Sequence, residues 1–247
     1  MKAIAAFILV AAGLAPLKWK FERSIDANHL SSDVLHHAID LRERVGQTAF
    51  IAILGGFRSV VADLLFIDGH FAWERVDWSH LLLRLRQVTM LQPHVTMFWD
   101  VAGWHMAWNA STAALNDTSL SVAARRRLQR EYIELGRDFL ERGVANNPKN
   151  PKLYEALARL YRDKLNDHAR ASENFLRASR LPGCAAYDER SAAYELSYCE
   201  GREHEAYDYL RALYDRGEKE RLPTLIARLR HLEEKLNISP TTRIPAK

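Results

Sequence analysis

The chain is poor in the residues that punctuate β-rich folds. Its 247 residues include 11 glycines and 8 prolines, together about 8% against roughly 12% in average usage. A sandwich or barrel with a turn every dozen residues needs more of both. Two cysteines exclude a disulfide-dense scaffold and any four-cysteine zinc module. Charge of one sign is also scarce: 35 Lys and Arg stand against 31 Asp and Glu, a formal net charge of +4. So diluted a positive charge argues against nucleic acid as a partner. What is plentiful is apolar surface, with 48% hydrophobic residues, which excludes a disordered chain. The length allows one or two domains, and the composition points to a helical globular protein.

Motifs of catalysis are missing as well. No HExxH, CxxC, CxxCH or GxSxG occurs. Gly55–Gly56 lacks the Lys and Ser/Thr of a phosphate-cradling loop. His36 and His37 are adjacent and point apart on a helix, and His94 and His105 have no carboxylate to complete a ligand set. Cys199 sits beside Glu200, which does not activate a thiol. Cys184 and Cys199 on one helix lie about 22 Å apart, beyond disulfide reach unless the chain hairpins before residue 187. Both are expected to be free and buried. No metal, no cofactor and no enzymatic activity is expected.

Long hydrophobic runs are few, and one opens the chain. Residues 3–17 (AIAAFILVAAGLAPL) carry no charge; Lys2 precedes them, and Lys18, Lys20 and Arg23 follow. The run is short for a span of about 20 residues but suits a signal segment. Pro16 disfavours cleavage after Ala15, and Trp19 and Phe21 resemble an interfacial belt. Residues 1–23 are read as an uncleaved signal-anchor, with a cleaved signal or a buried helix as alternatives. Residues 24–56 form a lead-in segment, with a helix capped by Ser31 or Ser32 that turns Leu35 and Ile39 inward.

A second apolar stretch, residues 48–67, is long enough to span a membrane. It contains Arg58 and Asp63, each costing about 2.5–3.5 kcal/mol at a helix centre. It is read instead as a core helix, with Arg58 and Asp63 as buried structural contacts to other elements. Phe57, Val60, Val61, Leu64, Leu65 and Asp68 follow the spacing of one amphipathic face. A turn is expected near Val76–Asp77, then a helix over 78–91 that Pro93 ends.

Periodicity decides the architecture. Pro148 and Pro182 are 34 residues apart, and Pro93 lies a further 55 residues upstream. Trp99 and Tyr154 each stand six residues after a proline. Ala102 and Leu157, Gly103 and Ala158, and Met106 and Tyr161 follow in the same register. Before the prolines, Leu81, Leu85 and Val88 match Gly136, Leu140 and Gly143, and Ala171, Phe175 and Ala178 match one residue out of phase. Small residues at such positions let antiparallel helices approach, and aromatics fill the spaces between pairs.

This 34-residue helix–turn–helix order resembles the tetratricopeptide repeat (TPR). Residues 149–182 carry the resemblance best, with Tyr154, Leu157, Ala158 and Tyr161 on the first helix and Ala171, Phe175 and Ala178 on the second. The turn near Asn166–Asp167 departs from the pattern by one residue. The resemblance extends over 57–217, as units 57–93, 94–148, 149–182 and 183–217, strongest in 94–182. The extra length of 94–148 is expected in a polar turn over 109–121 and a longer second helix. Residues 218–247 supply a capping helix over 222–236 and a disordered tail. GGFRSVVADLLFID and LQPHVTMFWDVAGWHMAWN are also similar to membrane-anchored bacterial repeat proteins, mostly of unassigned function. The resemblance implies an all-α, right-handed helical-repeat solenoid behind an N-terminal anchor. It implies attachment to a bacterial inner membrane; the extracytoplasmic side is favoured for the body, and the charges flanking residues 3–17 leave either side open.

Site residues divide accordingly. Trp99, Gly103, Tyr154, Tyr161 and Phe175 are packing positions. Trp104 and Trp108 share a helix face, as i and i+4, and either line a groove or join the core. Arg125, Arg126, Arg127 and Arg130 give one helix a basic start that opposes its dipole. By the resemblance, Lys152, Glu155, Arg159 and Arg162 lie on the concave face, where Arg159 and Arg162 could clamp a carboxylate. The sequence therefore reads as a membrane-anchored scaffold or adaptor that binds a peptide or helix of another protein. The alternatives are a fixed accessory subunit of a larger membrane complex, or an enzyme using a Trp/His groove around His105.

Overall fold

A computed structural model describes Gly55 and residues 57–245. The expected anchor over 1–23 and nearly all of the lead-in segment lie outside the described residues, as do residues 246–247. The body runs from Arg58 as one unit. It is all-α, with no strand among the described residues.

Ten α-helices follow in order among the described residues. They are α1 (Arg58–Glu74), α2 (Trp78–Leu91), α3 (Thr96–Trp104), α4 (Ser111–Asn116), α5 (Val122–Asn146), α6 (Pro151–Leu165), α7 (His168–Ser179), α8 (Asp188–Leu196), α9 (Glu203–Asp215) and α10 (Pro223–Lys235). A π-helical turn, His105–Ala110, joins α3 to α4. None of these helices is long and apolar enough to cross a membrane.

Local chemistry sets the helix ends. Asp77 caps α2 by accepting from the His80 amide at 3.0 Å. Ser121 caps α5 and Asn150 caps α6, where Pro151 occupies the first turn. The turn that departs from the repeat pattern has a simple form. Asn166 ends α6 in the left-handed conformation at φ 52°, and Asp167 caps α7 through the Arg170 amide. Two residues thus reverse the chain.

Each helix packs on the next except α3 and α4, which are joined through the π turn and both pack on α5, and α3 also touches α6. The closest approach is between α3 with its π turn and α5. A Cβ on Gly136 would lie 2.6 Å from the Ala107 Cβ and 2.8 Å from the Gly103 carbonyl oxygen. One on Gly103 would strike Leu140, and one on Gly143 would strike Trp99. Trp99, Met106, Phe139, Leu140, Leu153 and Tyr161 fill the core there. A second cluster joins α8, α9 and α10 through Leu196, Leu210, Leu213, Leu225, Leu229 and Leu232.

The spacing around the prolines has a physical counterpart. Trp99 donates from Nε1 to the Pro93 carbonyl at 2.8 Å, and Tyr154 donates its hydroxyl to the Pro148 carbonyl at 3.3 Å. In both places the aromatic six residues on donates to the carbonyl of the proline that follows the helix C-cap. Phe175 is buried against Ala158 and Ala192.

Four expectations are corrected. The fully buried positions of α1 are its small residues, Ala62, Gly69 and Ala72, with Leu65, Phe66 and Trp73 partly buried beside them. Val60 and Leu64 point outward. Asp63 is exposed and Arg58 half-buried, and neither forms an ion pair with a described residue. The carboxylate that ties α1 to α2 is Asp68, which accepts from Arg84 Nε at 2.5 Å and lies 2.7 Å from His80 Nε2. Residues 109–116 are helical, not a polar turn, since Ala110, Ser111 and Ala114 are buried and Ser111 returns its hydroxyl to Ala107 at 2.6 Å. Cys184 is exposed in the loop before α8, and Cys199 is half-buried.

The tail differs as well. Ile244 is buried and its amide donates to Glu233 Oε1 at 2.8 Å, while Arg211 and Arg230 hold the Thr242 and Pro245 carbonyls. A single apolar side chain with a buried carboxylate partner orders what composition alone marks as a polar end.

Candidate functional site

A groove of about 380 Å³ runs between α3 and α6. Asp100, Val101 and Trp104 from α3 and Trp108 from the π turn form one wall. Ala156, Arg159 and Asp163 from α6 form the other, over Leu140 of α5. The wall residues fall at i, i+4 and i+8 along α3 and the π turn, with the extra residue of the π turn shifting Trp108. Such insertions recur at functional sites.

Trp104 is 48% exposed. Trp108 is half-buried, with the Lys164 ammonium 5.4 Å from its ring centre. The Asp100 carboxyl is held above its ordinary range by loss of hydration against the neighbouring helices, an effect that Arg159 opposes. Arg159 Nη2 lies 3.1 Å from Glu155 Oε1. Glu155 is buried and also accepts from the Tyr187 hydroxyl at 2.5 Å. Asp188, fully buried, accepts the Ala185 amide at 2.9 Å through Oδ2. Its Oδ1 has no hydrogen-bond partner among the described residues. Burial pushes its carboxyl above the usual range.

The structure brings Trp104, Trp108 and Arg159 to one groove, with Glu155 as the partner that orients Arg159. It does not bring Arg162 there. That guanidinium contacts Asp163 at 2.7 Å, stands 5.8 Å from the Phe175 ring centre and reaches Glu195 at 4.0 Å. The two arginines therefore do not form a clamp: each already holds a carboxylate of this chain. Lys152 is exposed at the start of α6. Asp100 and Asp163 were missed by the sequence reading. Asp100 stands four residues before Trp104, and that spacing was a sufficient signal.

His105 lies beneath this wall. Its ring is buried between Trp73 and Trp104, with centres 5.4 and 4.9 Å away, and Nδ1 is 3.1 Å from Asn109 Nδ2. Burial, with a contribution from His70, lowers its pKa to about 4. His105 is not among the residues that line the α3–α6 groove. No group of three or more metal-ligating side chains occurs among the described residues.

A wider groove, about 870 Å³, lies between α5 and the end of α6. Arg127, Arg130, Arg137 and Lys164 line it above Ile133, Leu135 and Leu165. Much of its charge is already balanced: Arg127 meets Glu131 at 2.8 Å and Arg137 meets Glu134 at 2.6 Å. The α3–α6 groove, smaller but with an open indole face, is the better candidate.

The chain matches no family profile and no curated protein.

Proposed function

We propose that the chain is a TPR-like scaffold, a right-handed helical-repeat solenoid tethered to a bacterial inner membrane by residues 1–23. It binds a segment of another protein in the groove between α3 and α6. The resemblance of the helix pairs to tetratricopeptide repeats supports the architecture, and the charge-free run over 3–17 supports the tether. The half-exposed indole of Trp104 carries the functional reading. A large aromatic left open in a concave groove, beside charges that are already oriented, is the composition of a protein-binding hot spot. Helix-pair arrays present such grooves to extended or helical peptides.

Affinity recovery from solubilised membranes tests the reading. The tagged full-length chain is expected to retain a discrete protein partner that Trp104→Ala/Arg159→Ala loses. Equal recovery by wild type and variant would place the binding surface elsewhere.

A further inference from the structure

Four large apolar residues of α1 face away from the body, while Leu65, Phe66 and Trp73 pack against it. Ala62, Gly69 and Ala72 are buried on one side. On the opposite side Val60, Leu64, Ile67 and Phe71 are 52, 62, 51 and 50% exposed. Their spacing is four, three and four residues, the a/d seam of a coiled coil rather than the broader stripe of a helix facing a globular core. A helix apolar around most of its circumference is a helix built to be covered.

The charges beside the seam select what covers it. An anionic bilayer surface favours Lys and Arg next to the apolar stripe. Here one flank carries Asp63 and His70, the latter 3.5 Å from Glu74 at the next seam position, and the other carries Arg75 and Asp68, of which Asp68 is already engaged by His80 and Arg84. Parallel pairing with an identical helix would set Asp63 against Asp68, like against like. Antiparallel pairing about a two-fold axis between Leu64 and Ile67 brings the same flank of both helices together. It sets Asp63 of each copy against His70 of the other, Leu64 against Ile67, and Val60 against Phe71.

We propose that the exposed seam of α1 is the contact between two copies of this chain, paired antiparallel. The pairing is independent of the α3–α6 groove, which lies on other elements.

Cysteine crosslinking of the full-length chain in native membranes tests it. In a Cys184→Ser/Cys199→Ser background, chains bearing Val60→Cys and chains bearing Phe71→Cys are co-expressed with different tags and treated with a short bis-maleimide. The expected product is a mixed dimer, with little product from either chain alone, and its yield falls at least tenfold when Leu64→Ser is added to both. Circular dichroism of the Leu64→Ser chain checks that the helices persist. Equal crosslinking of Val60→Cys chains to themselves would overturn the antiparallel arrangement. Absence of any dimer would overturn self-pairing altogether. Labelling of Leu64→Cys by a water-soluble maleimide then identifies the occupant. Protection only in membranes means lipid covers the seam; protection in detergent as well means residues 1–57 of the same chain do.

Discussion

At the residue scale, the hydrogen bonds from Trp99 to Pro93 and from Tyr154 to Pro148 explain why the spacing of six residues recurs. Each joins a buried aromatic to a carbonyl at a helix end. Trp99→Phe keeps most of the packing and loses the donor. Asn147 also donates to the Pro93 carbonyl, at 2.9 Å, so that oxygen is not orphaned. The expected loss is about 1 kcal/mol for the bond plus about 1 kcal/mol for the smaller ring, read as a lowered midpoint in urea unfolding. His105 makes a pH-dependent contribution of definite sign. Its folded pKa is lowered from 6.5 to about 4, so between those values the unfolded chain binds the extra proton. Stability from this residue is present above about pH 6.5 and is lost as the pH falls through that window. His105→Gln should flatten the dependence of the unfolding midpoint on pH there. An unchanged pH profile would mean that the ring is hydrated in the folded chain.

At the element scale, the crossing of α3 and α5 depends on missing side chains. Gly136→Ala would gain about 1 kcal/mol of helix propensity. Its new methyl would stand 2.8 Å from the Ala107 amide nitrogen and from the Gly103 carbonyl oxygen, and backbone cannot step aside as a flexible side chain does. The clash costs about 3 kcal/mol or more, so the net effect is destabilising. Thermal unfolding should show a drop of several degrees for it and also for Gly143→Ala, where the methyl would stand 2.7 Å from the Cβ of the buried Trp99. These small residues were legible in the sequence because helix-pair spacing and proline punctuation are local signals. The orientation of α1 was not. Periodicity says which residues share a face, but Ala62, Gly69 and Ala72 form a face as regular as that of Val60, Leu64 and Ile67. Only the close approach of α2 decides between them. The Asp68 link to His80 and Arg84 joins separate helices, so no spacing rule points to it. The π turn leaves no sequence signal at all, and the helical 109–116 segment was hidden by Asn, Ser and Thr residues that elsewhere mark turns.

At the scale of the whole molecule, the ten α-helices of the described residues place the two proposed interaction features on different elements. In the proposed function the α3–α6 groove offers its indole and oriented charges to a foreign segment. In the proposed pairing the α1 seam offers an apolar line to a second copy. Of the groove, the sequence showed Trp104, Trp108 and Arg159 but misjudged Arg162, because the side chain of Asp163 and the Phe175 ring hold it on the far flank of α6. A scaffold that pairs through α1 presents two such grooves, and Leu64→Ser should therefore weaken capture of a multivalent partner without changing binding of a single segment, as compared by surface-immobilised and solution titrations.

Site-specific photo-crosslinking in native membranes tests the central claim most directly. p-Benzoylphenylalanine replacing Trp104 should give one discrete protein adduct, and Arg159→Ala should abolish it. The same probe at Leu222, exposed on the opposite end of the chain, should give none. No adduct from position 104, or the same adduct from both positions, would contradict a protein-binding role for the α3–α6 groove.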